Sequence, residues 1–255
     1  MISSVALSPV RRWWPSVVAL CCLGPLLPQQ ARAHDVPRAW GGSLAFTSDY
    51  RVRGVSQTRG EPAVQGGVHV RSSSGWMAGV WASSIHRLPG RSKTAEVDAF
   101  LGFGWNVAPD WDAKLAFTHY WYPDDPARAR YDYDEIAASI AYRAQLIATV
   151  TFSPNTTYFG YYERSWQAEQ APSASYELTG MHPLTPSLSL TAGVGYNDLS
   201  HLFDHGYWYW NYGIAYAMGP LRLDLTRIDS DNTAAELFGS TATQAGWSAG
   251  ISWRF

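Results

Sequence analysis

The sequence predicts an all-β chain: after a cleaved signal peptide, a transmembrane antiparallel up-and-down β-barrel of twelve strands. Three observations predict it. Apolar and polar residues alternate with period two along most of residues 43–255, the spacing that sends successive side chains to opposite faces of a strand. The connections between the alternating runs are by turns short and long. The last run ends on an aromatic residue, Phe255.

Residues 1–33 read as a secretory signal peptide. Arg11 and Arg12 form its charged region, Ser16 to Leu27 its apolar region, and Ala31-Arg32-Ala33 its cleavage motif. Residues 34–255 are then the mature barrel domain. The apolar region is about 12 residues long against the ~20 that a membrane-crossing helix needs, and no later segment is a better candidate. Both cysteines, Cys21 and Cys22, fall in the signal, so the mature chain has no thiol, disulfide or cysteine metal ligand. Leu20 stands before Cys21 where lipidation requires a small residue.

The signal takes three of the 19 basic residues and none of the 21 acidic ones. The mature chain is therefore acidic, which argues against a nucleic-acid partner. The full chain holds 13 Trp and 15 Tyr but only 16% charged residues. So many amphipathic rings with so few charges suit a barrel with interfacial girdles better than a secreted soluble domain.

The first run, Ser43 to Arg53, puts Leu44, Phe46, Ser48, Tyr50 and Val52 on a lipid face. Asp49, Arg51 and Arg53 fall on the opposite, water-facing side. In Ala63 to Arg71, Val64, Val68 and Val70 oppose Gln65, His69 and Arg71. Trp76 to Ile85 has no clear facing. In Glu96 to Asn106, Val97, Leu101, Phe103 and Trp105 oppose Glu96 and Asp98. Leu115 and Phe117 then oppose Asp112 and Lys114. Further strands fit Tyr133 to Tyr142, Leu146 to Phe152, Tyr176 to His182, Leu188 to Asn197, Tyr207 to Tyr216, Leu221 to Ile228 and Ala245 to Phe255.

Connections after even strands are compact, as at Ser72 to Gly75, Val107 to Asp110 and Ala217 to Pro220. Those after odd strands are mostly longer: Gly54 to Pro62, His86 to Ala95, Pro123 to Asp132, Ser153 to Ser175, Asp198 to Gly206 and Asp229 to Gln244. Outer-membrane barrels have short periplasmic turns and long outer loops. An even count returns the last strand beside the first, closing the sheet as lipid requires. Trp253 and Phe255, on the apolar face of the final strand, resemble the terminal-aromatic signal that the barrel assembly machinery reads.

The lumen-lining candidates are Asp49, Arg51, Arg53, His69, Arg71, Glu96, Asp98, Lys114, Glu135, Arg222 and Asp224, joined by Asp112, Glu177 and Arg254. Their signs nearly cancel. They describe either a polar conduit whose charges tune passage or a paired electrostatic ladder that fills the interior. Twelve strands lie between the roughly eight whose interior side chains fill and the 16 to 18 that leave a channel.

Three runs carry a family resemblance: Ser48-Asp49-Tyr50-Arg51-x-Arg53-Gly54-x-Ser56, Pro62-Ala63-x-Gln65-Gly66-Gly67 and Gly79-x-Trp81-Ala82-Ser83. Echoes follow at Glu96-Val97-Asp98, Tyr120 to Pro123 and Tyr133-Asp134-Glu135. The chain resembles the TorF-type porins, a proteobacterial family of uncharacterised outer-membrane β-barrel proteins. The resemblance implies a channel and carries no established functional residues.

Other chemistry is sparse, and no cofactor, metal site or catalytic residue is expected. His201 and His205 with Asp198 and Asp204 read as a solvated loop, since four-residue His spacing suits a metal mainly on a helix. Asp229 to Asn232 reads as a hairpin turn, lacking the Gly and distant Glu of a calcium loop. His119 lacks a nucleophile motif and reads, with Trp111, Trp121, Tyr122, Trp208, Trp210 and Trp253, as part of an aromatic belt. Tyr158 to Trp166 reads first as a strand extension above the membrane, with a sugar- or partner-binding surface and an inward constriction as its alternatives. Three functions stay open: a passive pore for small hydrophilic solutes, a non-conducting structural or adhesive barrel acting through its outer loops, and a lipid-modifying enzyme. The expected partners are outer-membrane lipid, the assembly machinery and small solutes.

Overall fold

A computed structural model describes residues 39–86, 93–123, 131–157 and 170–255. The expected signal peptide and the run Tyr158 to Trp166 lie outside them. In chain order the strands are β1 (Trp40–Thr47), β2 (Arg51–Val52), β3 (Val55–Ser56), β4 (Ala63–Arg71), β5 (Trp76–Ile85), β6 (Thr94–Ala108) and β7 (Trp111–Trp121). There follow β8 (Tyr133–Tyr142), β9 (Leu146–Thr157), β10 (Gln170–Pro183), β11 (Leu188–Asp198), β12 (Tyr207–Met218), β13 (Leu221–Ser230) and β14 (Gly246–Arg254). Three short helices, α1 (Ser200–Phe203), α2 (Asn232–Phe238) and α3 (Ser240–Thr243), sit in the last two long connections.

Strands β1 and β4 to β14 form a closed antiparallel barrel of twelve, each pairing with its neighbour in sequence. At the seam Ser43 faces Arg254 and Phe46 faces Ile251. The seam extends past the last strand residue: Gly42 N–H donates to the Phe255 carbonyl at 2.9 Å, and Phe255 N–H to the Gly42 carbonyl at 3.1 Å. The Phe255 ring packs between Trp253 and Trp40, with centroids 4.9 and 6.4 Å away. It lies over Gly42, where a Cβ would stand 2.6 Å from Phe255 Cζ and 2.9 Å from the Gly67 carbonyl. Glycine is needed there so that the terminal ring can cover the closure.

Alternation sets the two faces. Leu44, Val64, Leu101, Leu115, Ile214 and Ile251 are exposed on the outside, while Gln65, Glu96, Glu135, Thr149, Ser175 and Ser252 are buried inside. This is the polarity of a barrel whose outer band meets hydrocarbon. The facing of β5, open in the sequence, is settled: Trp76 and Val80 point out, and Trp81, Ser83 and Ile85 point in. Inside, neighbouring hydroxyls satisfy one another, as where Thr149 donates to Ser139 at 3.1 Å. Outward rings gather at the short-turn end, with Trp76 against Phe103 and Trp111 against Tyr142, and at the other end, with Tyr196 against Trp208 and Tyr212 against Trp247.

Three expectations need correction. The first strand stops at Thr47, so Tyr50 is buried inside the barrel rather than lipid-facing, and Asp49, Arg51 and Arg53 are not on the strand wall. Tyr122 is 2% exposed and belongs to the interior, because it follows outward Trp121 by one residue. Asp229 to Asn232 is no hairpin turn: Asp231 caps α2, accepting from Ala234 N–H and from Trp208 N–H at 2.9 Å, and a short acidic side chain is well suited to a helix N-terminus.

Gly42→Leu is expected to disrupt the seam by overpacking, lowering stability by about 1–3 kcal/mol. A urea titration of the refolded barrel should show a lower midpoint for it than for Gly104→Ala, where the added Cβ meets nothing closer than 3.7 Å.

Candidate functional site

The connection between β1 and β4 folds into the barrel instead of rising from it. Tyr50, Val55, Ser56, Gln57 and Thr58 are all buried. Strands β2 and β3 pair with Val52 opposite Val55, and Arg53 and Gly54 close them in the left-handed region, with φ 48° and 83°. That is the twist a two-residue hairpin favours. The tip reaches the β12–β13 part of the wall, where a Cβ on Gly54 would stand 3.0 Å from Tyr209 Cβ and 3.2 Å from Ser230 Cβ. The segment acts as a strap across the mouth at the long-connection end.

Its base is built on Asp49. The carboxylate accepts from Arg51 Nε at 2.6 Å, Ser56 Oγ at 2.6 Å and Thr58 Oγ1 at 3.0 Å. Two carboxylates on the wall hold the rest. Glu96 on β6 accepts from Tyr50 Oη at 2.5 Å and Tyr122 Oη at 2.6 Å, one to each oxygen. Glu135 on β8 accepts from Arg53 Nη2 at 2.8 Å and Tyr120 Oη at 3.0 Å. Bonds to an ionised acceptor are stronger than neutral ones. Arg51 Nη1 also donates to the Gln244 carbonyl at 2.8 Å, tying the strap to the segment after α3.

Apolar packing anchors both sides. Tyr50 joins Trp81, Ile85, Tyr120, Tyr122 and Tyr131 in one buried cluster, and Val55 joins Leu199, Tyr207, Tyr209 and Leu237 in another. The tyrosines are the residues the sequence reading missed as part of the site. Their signal was parity, since Tyr120 and Tyr122 alternate with outward His119 and Trp121.

The interior charges are unevenly distributed along the barrel, though each end holds both signs. Beneath the strap stand the acids: Asp98 has Glu96 and Glu135 as charged neighbours, and Glu177 has Arg53 and Glu135. Toward the short-turn end stand the bases. Arg71 is the charged neighbour of both His69 and Lys114, and Arg254 lies beside Arg222 and Asp224. Arg222 holds Asp224 through Nε at 2.9 Å and Nη2 at 2.6 Å, while Asp112 is engaged by Asn106 Nδ2. The near-cancellation of signs read from the sequence therefore hides an excess of acids beneath the strap and of bases toward the short-turn end, each with counter-charges among them.

Two other candidates fall apart from this interior. His119 is on the outer surface of β7, its Nδ1 2.8 Å from Asp134 Oδ1, and Asp134 also accepts from Asn155 Nδ2 at 3.1 Å. The Asp198 carboxylate accepts from Ser200 N–H at 3.0 Å at the start of α1. Among the described residues no three His, Cys, Asp or Glu side chains are grouped to hold a metal.

A family model described as "bacterial protein of unknown function (Gcw_chp)" matches residues 31–250. The chain belongs to this family. No curated protein matches it. Among solved structures, a KdgM porin in complex with disordered oligogalacturonate is similar at a TM-score of 0.51 and 5% identity, covering 85% of this chain and 99% of that one. A second KdgM porin structure gives 0.50 at 6% identity, covering 84% and 99%. A membrane protein from a study of in-meso crystallization gives 0.52 at 11% identity, covering 85% and 83%. At such identities the likeness is one of fold: this Gcw_chp member shares the closed barrel of porins.

Asp49→Ala should release the strap without opening the barrel, because it strands Arg51, Ser56 and Thr58 at a cost of about 1–3 kcal/mol for the buried groups. Hydrogen exchange should then speed up in residues 48–58 and stay slow in β6 to β9. Equal rates in the strap of variant and parent would remove Asp49 from this role.

Proposed function

We propose that this chain is an outer-membrane porin of narrow bore, a passive channel for small hydrophilic solutes of the TorF type that its first strands resemble. The short-turn end faces the periplasm and the strapped end the exterior. Residues 1–33 are a signal removed on export, and Trp253 and Phe255 serve as the signal to the assembly machinery. The observation that carries the reading is a closed wall, apolar outside and lined inside by many polar and charged side chains beside a few buried aromatic and apolar ones. An interior built only to fill space is served as well by apolar packing, whereas hydrophilic solutes need hydrogen-bonding partners in transit. In this reading Asp49, Arg51 and Arg53 form the constriction. Glu96, Asp98, Glu135, Lys114, His69, Arg71, Arg222 and Asp224 line the path. The reading gives the chain no cofactor and no catalytic step.

The strap itself favours a second reading, a non-conducting barrel whose mouth is permanently closed. Planar-bilayer recording separates the two. The refolded parent should show small, steady conductance steps, and replacing residues 49–61 with a short turn should enlarge them several-fold, since the constriction is then gone. Silence from the parent with conductance only in the replacement would favour the closed barrel. Silence from both would contradict the channel reading.

A further inference from the structure

The outer wall of the barrel is not evenly convex. A groove of about 600 Å³ crosses it from β6 to β12, within the roughly 300–1,000 Å³ of sites that take small ligands. Its rims are exposed outward side chains such as Leu115, Ile140, Val150 and Leu178. At the β7–β9 end its floor is made by Ala113, Ala138 and Ala148, which are too short to fill the space between those neighbours. Ala113 and Ala148 both pair with Ile140, and Ala138 pairs with Leu115 and Val150.

Strand register gives the groove a direction. Ala113 stands two residues after the start of β7 and Ala148 two residues after the start of β9, both beside the short turns. At the other end Trp208 is the second residue of β12, beside the long connections. Five strand spacings of ~4.8 Å lie between β7 and β12, so the groove is about 24 Å long. It rises obliquely from the short-turn interface, because the strands of such barrels are tilted. An elongated apolar slot in a wall that faces hydrocarbon suits a single acyl chain.

A cation stands where that chain would carry its phosphate. Arg143 follows Ile140 by three residues, in the turn just below the groove. Its side chain is exposed, and its Nε donates to Asp110 Oδ2 at 3.3 Å. The guanidinium carbon lies 5.1 Å from the centre of the Tyr142 ring, and that ring packs on Trp111 at 5.0 Å. These contacts hold the guanidinium against outward rings at the short-turn interface and leave its Nη groups for an acceptor outside the barrel. Guanidinium matches phosphate in geometry as well as charge.

We infer that the groove holds one glycerophospholipid of the periplasmic leaflet, with its phosphate on Arg143 and an acyl chain laid along the slot. Lipid tails are as apolar as the wall, so the slot contributes close packing and Arg143 contributes the selection for a phosphate headgroup. The inference rests on the membrane placement and orientation proposed above. It does not depend on whether the barrel conducts.

Native mass spectrometry of the refolded barrel in mild detergent tests it, with phosphatidylglycerol as the probe and diacylglycerol and lipid A as comparisons. The parent should retain one phosphatidylglycerol, bound about tenfold more tightly than diacylglycerol, which lacks the phosphate. Arg143→Gln should abolish that preference. Ala148→Phe should weaken both lipids by filling the slot, and Ala138→Leu gives a second reading if that variant folds poorly. Ala99→Phe, at an exposed position of β6 that does not line the groove, should change neither. Equal retention in parent, Arg143→Gln and Ala148→Phe would overturn the site. Tighter binding of lipid A, or a dimer that Ala148→Phe dissolves, would overturn it too, because the occupant would then be a different one. Retention by a barrel that does not conduct would keep the site and end the channel reading. Conductance with no phospholipid retained would keep the channel and overturn the site.

Discussion

A closed ring of twelve strands leaves a narrow interior, in which the polar side chains that the strands send inward compete for hydrogen-bond partners. This constraint organises the rest of the molecule. Period-two alternation directs Glu96 and Glu135 inward whatever else the chain does, and an ion buried without partners is costly. Each of these carboxylates has both oxygens engaged, and each draws one donor from the strap and one from β7 or the residue just after it. The strap is thus part of what makes the wall acceptable, and the wall is what fixes the strap. Removing either leaves the other with buried groups unmet.

The wall was legible in the sequence because its signal repeats. Glu96, Asp98, Lys114, Glu135, Arg222 and Asp224 each sit one residue from an outward apolar side chain, so parity alone gives their direction. The strap was illegible for a related reason. Tyr50 and Val52 continue the alternation of Leu44 and Phe46 beyond the point where β1 ends, and a hairpin two residues long leaves no longer pattern to betray it. The signal that was present is local: Arg53-Gly54 is a left-handed pair, and Asp49 stands near hydroxyls at Ser56 and Thr58. The helix after β13 was likewise foreshadowed, since Asp231 precedes a run closed by Gly239.

Composition also concealed the electrostatics. Counting inward charges gives a nearly neutral lumen, but Glu135 and Glu177 gather with Arg53 near the mouth, while His69, Arg71, Lys114 and Arg254 stand nearer the opposite end, where Asp224 pairs with Arg222. Sequence order carries no height by itself, because alternate strands run in opposite directions. Only the pairing of strands turns it into position. The porins that share this fold do so at 5 to 6% identity, so the uneven interior charge and the strap are properties argued from this chain's own residues.

Thiol labelling of the strap tests the central claim most directly, and the lack of cysteine beyond Cys22 makes it clean. Single cysteines replace Val55, Gln57 and Glu61 in the refolded barrel, which is then exposed to a bulky, membrane-impermeant maleimide. Val55 and Gln57 are 5% and 1% exposed, whereas Glu61 is open to solvent. A strap folded into the mouth predicts rapid labelling at position 61 and orders of magnitude slower labelling at 55 and 57, since those two need local opening. Equal, rapid labelling at all three positions would mean a free outer loop and would contradict the account.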